Sequence, residues 1–315
     1  MAGAKDIIID CDPGQDDAVA LLLAVGDPRV NLLGVTTVGG NQSLPKVTRN
    51  ARAVLEAAHA RDVCVHAGSA RPLVRRLRVA AEVHGETGLD GVRLPEPVRP
   101  LDEGHAVAWI IETVMAREPG TVTLVALGPL TNIALAARME PRIVERVREV
   151  VLMGGAVHEG NASPVAEFNI ATDPEAAHIV FHEAWPLTMV GLDVTHQALC
   201  TPEVQRRIAG LGSDIASHVC GMMDFFRRAY RANRAFPDPP VHDPCAVAYV
   251  IDPGVMEVRR CPVDIELAGT VTAGMTVADL RGPEPDARAC HTQVGLRLDI
   301  ERFWNLVVSA IEAIG

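Results

Sequence analysis

The chain of 315 residues lacks paired cysteines, an excess of positive charge and any apolar run long enough to span a membrane. Each absence removes a class of function. The seven cysteines, Cys11, Cys64, Cys200, Cys220, Cys245, Cys261 and Cys290, form no C-x-x-C pair. A zinc site or a disulfide framework is therefore not expected, and reduced, mostly buried thiols in a cytoplasmic protein are. The net charge of -11 argues against nucleic acid as a partner, because no basic stripe would attract its phosphates. The arginines between Arg71 and Arg78 fit a solvated loop. No basic-then-apolar segment opens the chain, so no leader and no membrane contact are expected.

What is present fits a compact enzyme, with 48% hydrophobic and 22% charged residues. Apolar runs that read as strands, at 7–9, 30–38, 63–67, 121–127, 150–153 and 187–194, alternate with helical patterns at 18–25, 43–60, 104–118, 131–139, 202–209 and 215–231. Thr172-Asp173-Pro174-Glu175 reads as a capping box ahead of another helix. A proline-rich loop covers 235–241, strand-like runs fill 255–299, and 300–314 is a closing amphipathic helix. This alternation predicts an α/β protein with an open, mainly parallel sheet, helices on both faces and a strand-rich C-terminal extension. No linker or repeat interrupts it, so residues 1–315 are expected to form one domain.

The most informative stretch runs from Ile7 to Ala20. A short apolar strand ends in Asp10, Asp12, Asp16 and Asp17, four carboxylates within eight positions, and an apolar helix follows. Open α/β sheets place their chemistry at the carboxyl ends of strands. One acid could cap the helix, but four together repel unless a positive charge lies among them. A hard divalent cation, calcium or magnesium, answers that repulsion with oxygen ligands. Strand alternation sends Asp10 and Asp12 to one side and Cys11 to the other.

Several known signatures fail here. An EF-hand would need a glutamate where Leu21 stands, and neither a dinucleotide-binding glycine pattern nor a P-loop lysine is present. A magnesium-dependent D-x-D phosphatase with Asp10 as nucleophile shares Asp10-x-Asp12 but has no need of Asp16-Asp17. Elsewhere, His242-Asp243-Pro244 heads a helix. Asp243 there is either a cap or a metal ligand, and His242 a residue able to exchange protons near neutral pH. Asn41, Asn161, Glu167 and Asn169 are turn residues or hydroxyl-binding groups, and the turn Gly128-Pro129-Leu130-Thr131-Asn132 leaves a carbonyl free to face a metal. These groups follow the first, second, fourth and fifth strands, all on one predicted edge.

Asp10-x-Asp12-Pro13-Gly14-x-Asp16-Asp17-Ala18, with Gly40-Asn41, the Gly128–Asn132 turn, Glu167-Phe168-Asn169 and His242-Asp243-Pro244, resembles the inosine-uridine-preferring nucleoside hydrolases over almost the whole chain. The resemblance implies their Rossmann-like fold, bound calcium and hydrolysis of the N-glycosidic bond of ribonucleosides to ribose and free base. It implies that Asp12, Asp17, Asp243 and the Leu127 carbonyl hold calcium, with Asp10 steadying the ligands from behind. Asp12 is implied as base toward a calcium-bound water, and His242 as the group that assists the departing base. Asp16, Asn41, Asn161, Glu167, Asn169 and Asp243 are implied at the ribose hydroxyls with Met153 nearby. His84, Phe226 and Tyr230 are implied near the base. Phe226 and Leu127 depart from residues common in the family, tyrosine and threonine. A homodimer or homotetramer is also implied. A calcium-dependent riboside-binding protein without turnover is the non-catalytic alternative.

Overall fold

A computed structural model describes residues 3–234 and 236–315. Ala235, the first residue of the predicted proline-rich loop, lies outside the described residues. The strands are β1 (Lys5–Cys11), β2 (Val30–Thr37), β3 (Cys64–Ala67), β4 (Val122–Ala126), β5 (Glu149–Met153), β6 (Leu187–Val190), β7 (Met256–Arg260), β8 (Val263–Ile265), β9 (Thr276–Ala278) and β10 (Thr292–Leu298). An eight-stranded sheet runs in the order β3-β2-β1-β4-β5-β6-β10-β7, and β8 pairs with β9 apart from it. All neighbours in the large sheet are parallel except β10 and β7. The fold is thus an α/β sheet of the predicted kind. The predicted extension is part of it: β10 joins β6 in parallel and β7 closes the edge.

Burial explains why β1 and β4 read as unbroken apolar runs: both are central and covered on two faces. Alternation along β1 sends Ile7, Ile9 and Cys11 into one core and Ile8 into the other. The helix Gln15–Gly26 after β1 is buried from Gln15 through Ala24, which is why its sequence is apolar on every side. It packs beneath the closing helix Ile300–Ile314, whose Phe303, Trp304, Val307, Ala310 and Ile311 form the buried stripe. Among the described residues no helix is long and apolar enough to cross a membrane.

Two local expectations are corrected. The predicted strand 187–194 stops at Val190, and Leu192–Thr195 turns into a short helix after Gly191. The helix Pro174–His182 is capped by Asp173, whose carboxylate accepts the Ala176 N–H at 3.1 Å, so Thr172 is not the cap.

Candidate active site

Chain order puts β2 and β3 on one side of β1 and β4, β5 and β6 on the other. The crevice beyond the carboxyl ends of β1 and β4 is therefore the point where the winding reverses, where such sheets bind ligands. Asp12, Pro13 and Gly14 cross it. Asp17 folds this turn back on the helix, accepting the backbone N–H of Asp12 at 3.2 Å and of Gly14 at 2.9 Å. Asp12 in turn accepts the Asn41 N–H at 2.6 Å. Gly40 and Gly128 are glycines because the Asp12 carboxylate lies against them. A Cβ would stand 2.0 Å and 2.6 Å from its two oxygens.

Asp243 arrives from the far end of the sequence, just ahead of the helix Pro244–Ile251. Its side chain makes no capping bond, so the purely structural reading of this residue fails. Carboxylate oxygens of Asp16, Asp17 and Asp243 lie within 4.8 Å of one another, all buried. One oxygen each of Asp12 and Asp16 is buried with no hydrogen-bond partner among the described residues. Burial, and after it the charge on neighbouring acids, pushes Asp12 and Asp243 well above the usual carboxylate range and Asp16 up to about 8. Asp17 rises only to about 6, because the Gly14 N–H and other donors oppose its burial. Orphaned oxygens, an all-carboxylate donor set and mutual repulsion fit a hard divalent cation.

Asp10 stands behind this group. Its Oδ1 accepts Thr36 Oγ1–H at 2.6 Å and Asn132 Nδ2–H at 2.8 Å, and burial lifts its carboxyl to about 7 against both bonds. Asp10 and Asp12 are both buried and neither borders the cleft, but Asp10 differs in holding Thr36 and Asn132. Asn132 also donates to Thr37 O and accepts the Ser69 N–H, so one amide ties the ends of β1, β2 and the loop after β3. Asn132→Leu is expected to cost about 1–3 kcal/mol in chemical denaturation, the penalty for stranding buried partners. A variant as stable as its parent would remove this bridging role.

The cleft above opens to solvent, with about 500 Å³ of space when its mouth is counted. Asp16 and Asp243 reach its floor. Asn41, Leu127, Met153 and Asn161 line its sides with Glu167 and Asn169. The Asn169 amide donates to Leu127 O at 2.7 Å and Met153 O at 3.1 Å, joining the ends of β4 and β5. Glu167 caps the short helix Phe168–Thr172, accepting the N–H groups of Gly155, Asn169 and Ile170. Burial raises its carboxyl to about 7 even so. Asn161 Oδ1 accepts the Phe168 N–H at 2.8 Å, leaving its amide nitrogen for the cleft.

His84, Tyr230 and His242 form the upper wall. His242 is held at both nitrogens, Nδ1 against Thr195 Oγ1 and Nε2 against Tyr230 Oη, each at 2.7 Å. Burial, then the nearby His196 and His84, keeps its pKa well below the ordinary value. His242 thus sits in a hydroxyl–imidazole–hydroxyl chain in which burial disfavours its charged form. Phe226 is set back from the cleft surface, packed against His84 and edge-on to Tyr230. Thr195, Gln15 and Arg234 are site residues that sequence reasoning missed.

Carboxylates, amides and an imidazole converge on one cleft at the switch point of a parallel sheet, a donor set suited to hydrolysis of a glycosidic bond. Residues 7–305 match the family model described as inosine-uridine preferring nucleoside hydrolase, and the chain belongs to that family. It is 57% identical to the inosine-uridine preferring nucleoside hydrolase of Crithidia fasciculata, over 99% of this chain and 98% of that one. It is 41% identical to a pyrimidine-specific ribonucleoside hydrolase of Escherichia coli, covering 98% and 97%. Among solved structures, the purine-preferring ribonucleoside hydrolase of Gardnerella vaginalis superposes with a TM-score of 0.91 at 32% identity, covering 98% and 99%. The chain is thus an enzyme that hydrolyses ribonucleosides. The phosphatase and the non-catalytic binding protein find no support among these relatives.

Proposed function

We propose that this chain cleaves the N-glycosidic bond with calcium held by Asp12, Asp17, Asp243 and the Leu127 carbonyl. In this reading Asp12 is the base, and His242, through Tyr230, assists the departing base. The observation that carries it is the convergence of Asp17 and Asp243, from opposite ends of the chain, in one buried acid group whose third member is Asp16, where the ligand reading has Asp12; Asp16 and Asp243 border the cleft. A calcium ion bound there supplies the charge that lets these carboxylates ionise together and gives oxygen ligands a common anchor. Asp10 holds the turn through Thr36 and Asn132 rather than touching substrate.

The chemistry follows from what the bond resists. The anomeric carbon must gain oxocarbenium character while the base departs as a poor anion. Asp12 takes the proton of the attacking water on the face opposite the base, inverting the anomeric configuration. Asp16, Asn41, Asn161, Glu167, Asn169 and Asp243 bind the ribose hydroxyls, with Met153 against the ring. Their negative charge and carbonyl dipoles favour the positive charge growing on the sugar. His84 and Tyr230 face the base, and Phe226 braces both. His242 and Tyr230 pass a proton or a hydrogen bond to the leaving nitrogen.

Dialysis against a calcium chelator is expected to silence release of free base from a ribonucleoside panel, and added calcium to restore it. Full activity with no metal by elemental analysis would refute the metal site. The panel also ranks purine against pyrimidine nucleosides, on which the named relatives differ. The proposal extends to a single-domain, cytoplasmic salvage enzyme, in keeping with seven free cysteines. The homodimer or homotetramer rests on the family resemblance alone, and sedimentation velocity measures it.

A further inference from the structure

Gln15, between Gly14 and Asp16, is fully buried, yet both ends of its amide are engaged. Its Nε2 donates to His84 O at 3.2 Å and to Asp90 O at 3.1 Å. Carbonyl oxygens carry no hydrogen, so the amide has one orientation. Turning it over would set Oε1 against two acceptors. Oε1 therefore faces His84 Nδ1, 2.7 Å away. An amide oxygen only accepts, so the proton of that bond belongs to Nδ1.

The ring is neutral as well as oriented. Burial, and after it the charge of Arg234, drives its pKa down to about 3. A neutral imidazole protonated on Nδ1 has a bare lone pair on Nε2. Nε2 has no protein hydrogen-bond partner among the described residues, and His84 borders the cleft with Asp16, Tyr230 and His242. The ring is also wedged in place. A Cβ on Gly14 would lie 2.3 Å from Nδ1, and Phe226 packs against it at 5.4 Å between centroids. His242 differs, because both of its nitrogens are occupied.

We propose that Gln15 is a positioning residue that locks His84 with its proton on Nδ1, so that Nε2 accepts one hydrogen-bond donor of the bound ribonucleoside. The proposal rests on the cleft being a ribonucleoside site and adds a polarity to it. This corner takes an N–H or O–H and repels a carbonyl or a bare ring nitrogen. With the 2′- and 3′-hydroxyls of inosine taken up at Asp16 and Asp243, two of its donors qualify, the ring N–H of the base and the 5′-hydroxyl of the ribose.

Protein labelled with ¹⁵N-histidine reports the tautomer through long-range proton–nitrogen correlations, with the His84 signals assigned by their loss in His84→Asn. The wild type is expected to show the proton on Nδ1, and Gln15→Leu a mixture of tautomers. In Gln15→Leu the KM for inosine should rise roughly three- to tenfold with kcat little changed, the size of one neutral hydrogen bond. Repeating the comparison with 1-methylinosine and with 5′-deoxyinosine identifies the donor. The analogue that lacks it has a KM that no longer responds to Gln15→Leu. A wild-type His84 protonated on Nε2 overturns the proposal, and so does undiminished sensitivity with both analogues. If Gln15→Leu does not fold, the wild-type spectrum still decides the tautomer and Gln15→Met replaces it in the kinetics. Failure of the nucleoside reading looks different: the wild type would release no base from any riboside, whatever the His84 spectrum shows.

Discussion

Asp12→Asn is expected to lower kcat on inosine and uridine by about 10³-fold, the loss typical of a removed general base, without unfolding the protein. The substitution is nearly isosteric. Its carbonyl oxygen still accepts the Asn41 N–H, and Gly40 and Gly128 still leave room for the group. What disappears is a basic oxygen. Asp12 is buried beside Asp17, and desolvation first and that charge second hold its carboxyl well above the usual range. Burial and neighbouring acids raise the basicity of this carboxylate, and a bound cation would favour the ionised form that a base needs. The same surroundings predict the stability effect. Without bound metal, removing one of several crowded buried carboxylates relieves repulsion, so the thermal midpoint of the metal-free variant should equal or exceed that of the metal-free parent. Near-parent turnover in a folded Asp12→Asn protein ends the base role. A collapse in stability instead shows that the carboxylate is structural.

How much of this was legible beforehand depends on how local each feature is. The β1 turn could be read because a buried strand, four acids and an apolar helix lie within some twenty residues, and no loop tolerates that charge density without a reason. Asp243 could be proposed because His-Asp-Pro at a helix start is locally ambiguous. The missing cap bond removes the capping alternative. Long-range pairings left no trace. The Thr36 and Asn132 donors to Asp10 sit 26 and 122 residues away, and although the Gly128–Asn132 turn stands out, nothing in it points to Asp10. Thr195 was hidden by propensity: Leu187 to Val194 is apolar enough to read as one strand, yet Gly191 ends it and a turn of helix swings the Thr195 hydroxyl to His242. Glu167 borders the cleft, but its task as a helix cap depends on a helix too short for periodicity to reveal. Phe226 shows the opposite limit. It entered through the family resemblance alone, and only packing shows that it braces the wall from behind.

His242→Ala is expected to slow natural nucleosides by about 10²- to 10⁴-fold and to leave p-nitrophenyl riboside within a few-fold of the parent. Nitrophenolate departs as a stable anion and needs no proton, so only the natural bases should register the loss. The geometry sharpens this expectation. A solvent-exposed imidazolium could protonate a base alone, but His242 is buried and neutral, with one nitrogen toward Thr195 and the other toward Tyr230. A proton given up on the Tyr230 side is one that His242 must replace, and Thr195 fixes which nitrogen can do so. Tyr230→Phe should therefore share the substrate-dependent pattern of His242→Ala, since it removes the hydroxyl at the cleft end of the chain. Burial raises the Tyr230 phenol far above its ordinary pKa, so it keeps its proton unless His242 makes up the loss. Thr195→Val should show the same pattern more weakly, because His242 keeps its place and loses only its orienting bond. Equal losses on both substrate types for all three variants would move these residues from leaving-group chemistry to support of the wall.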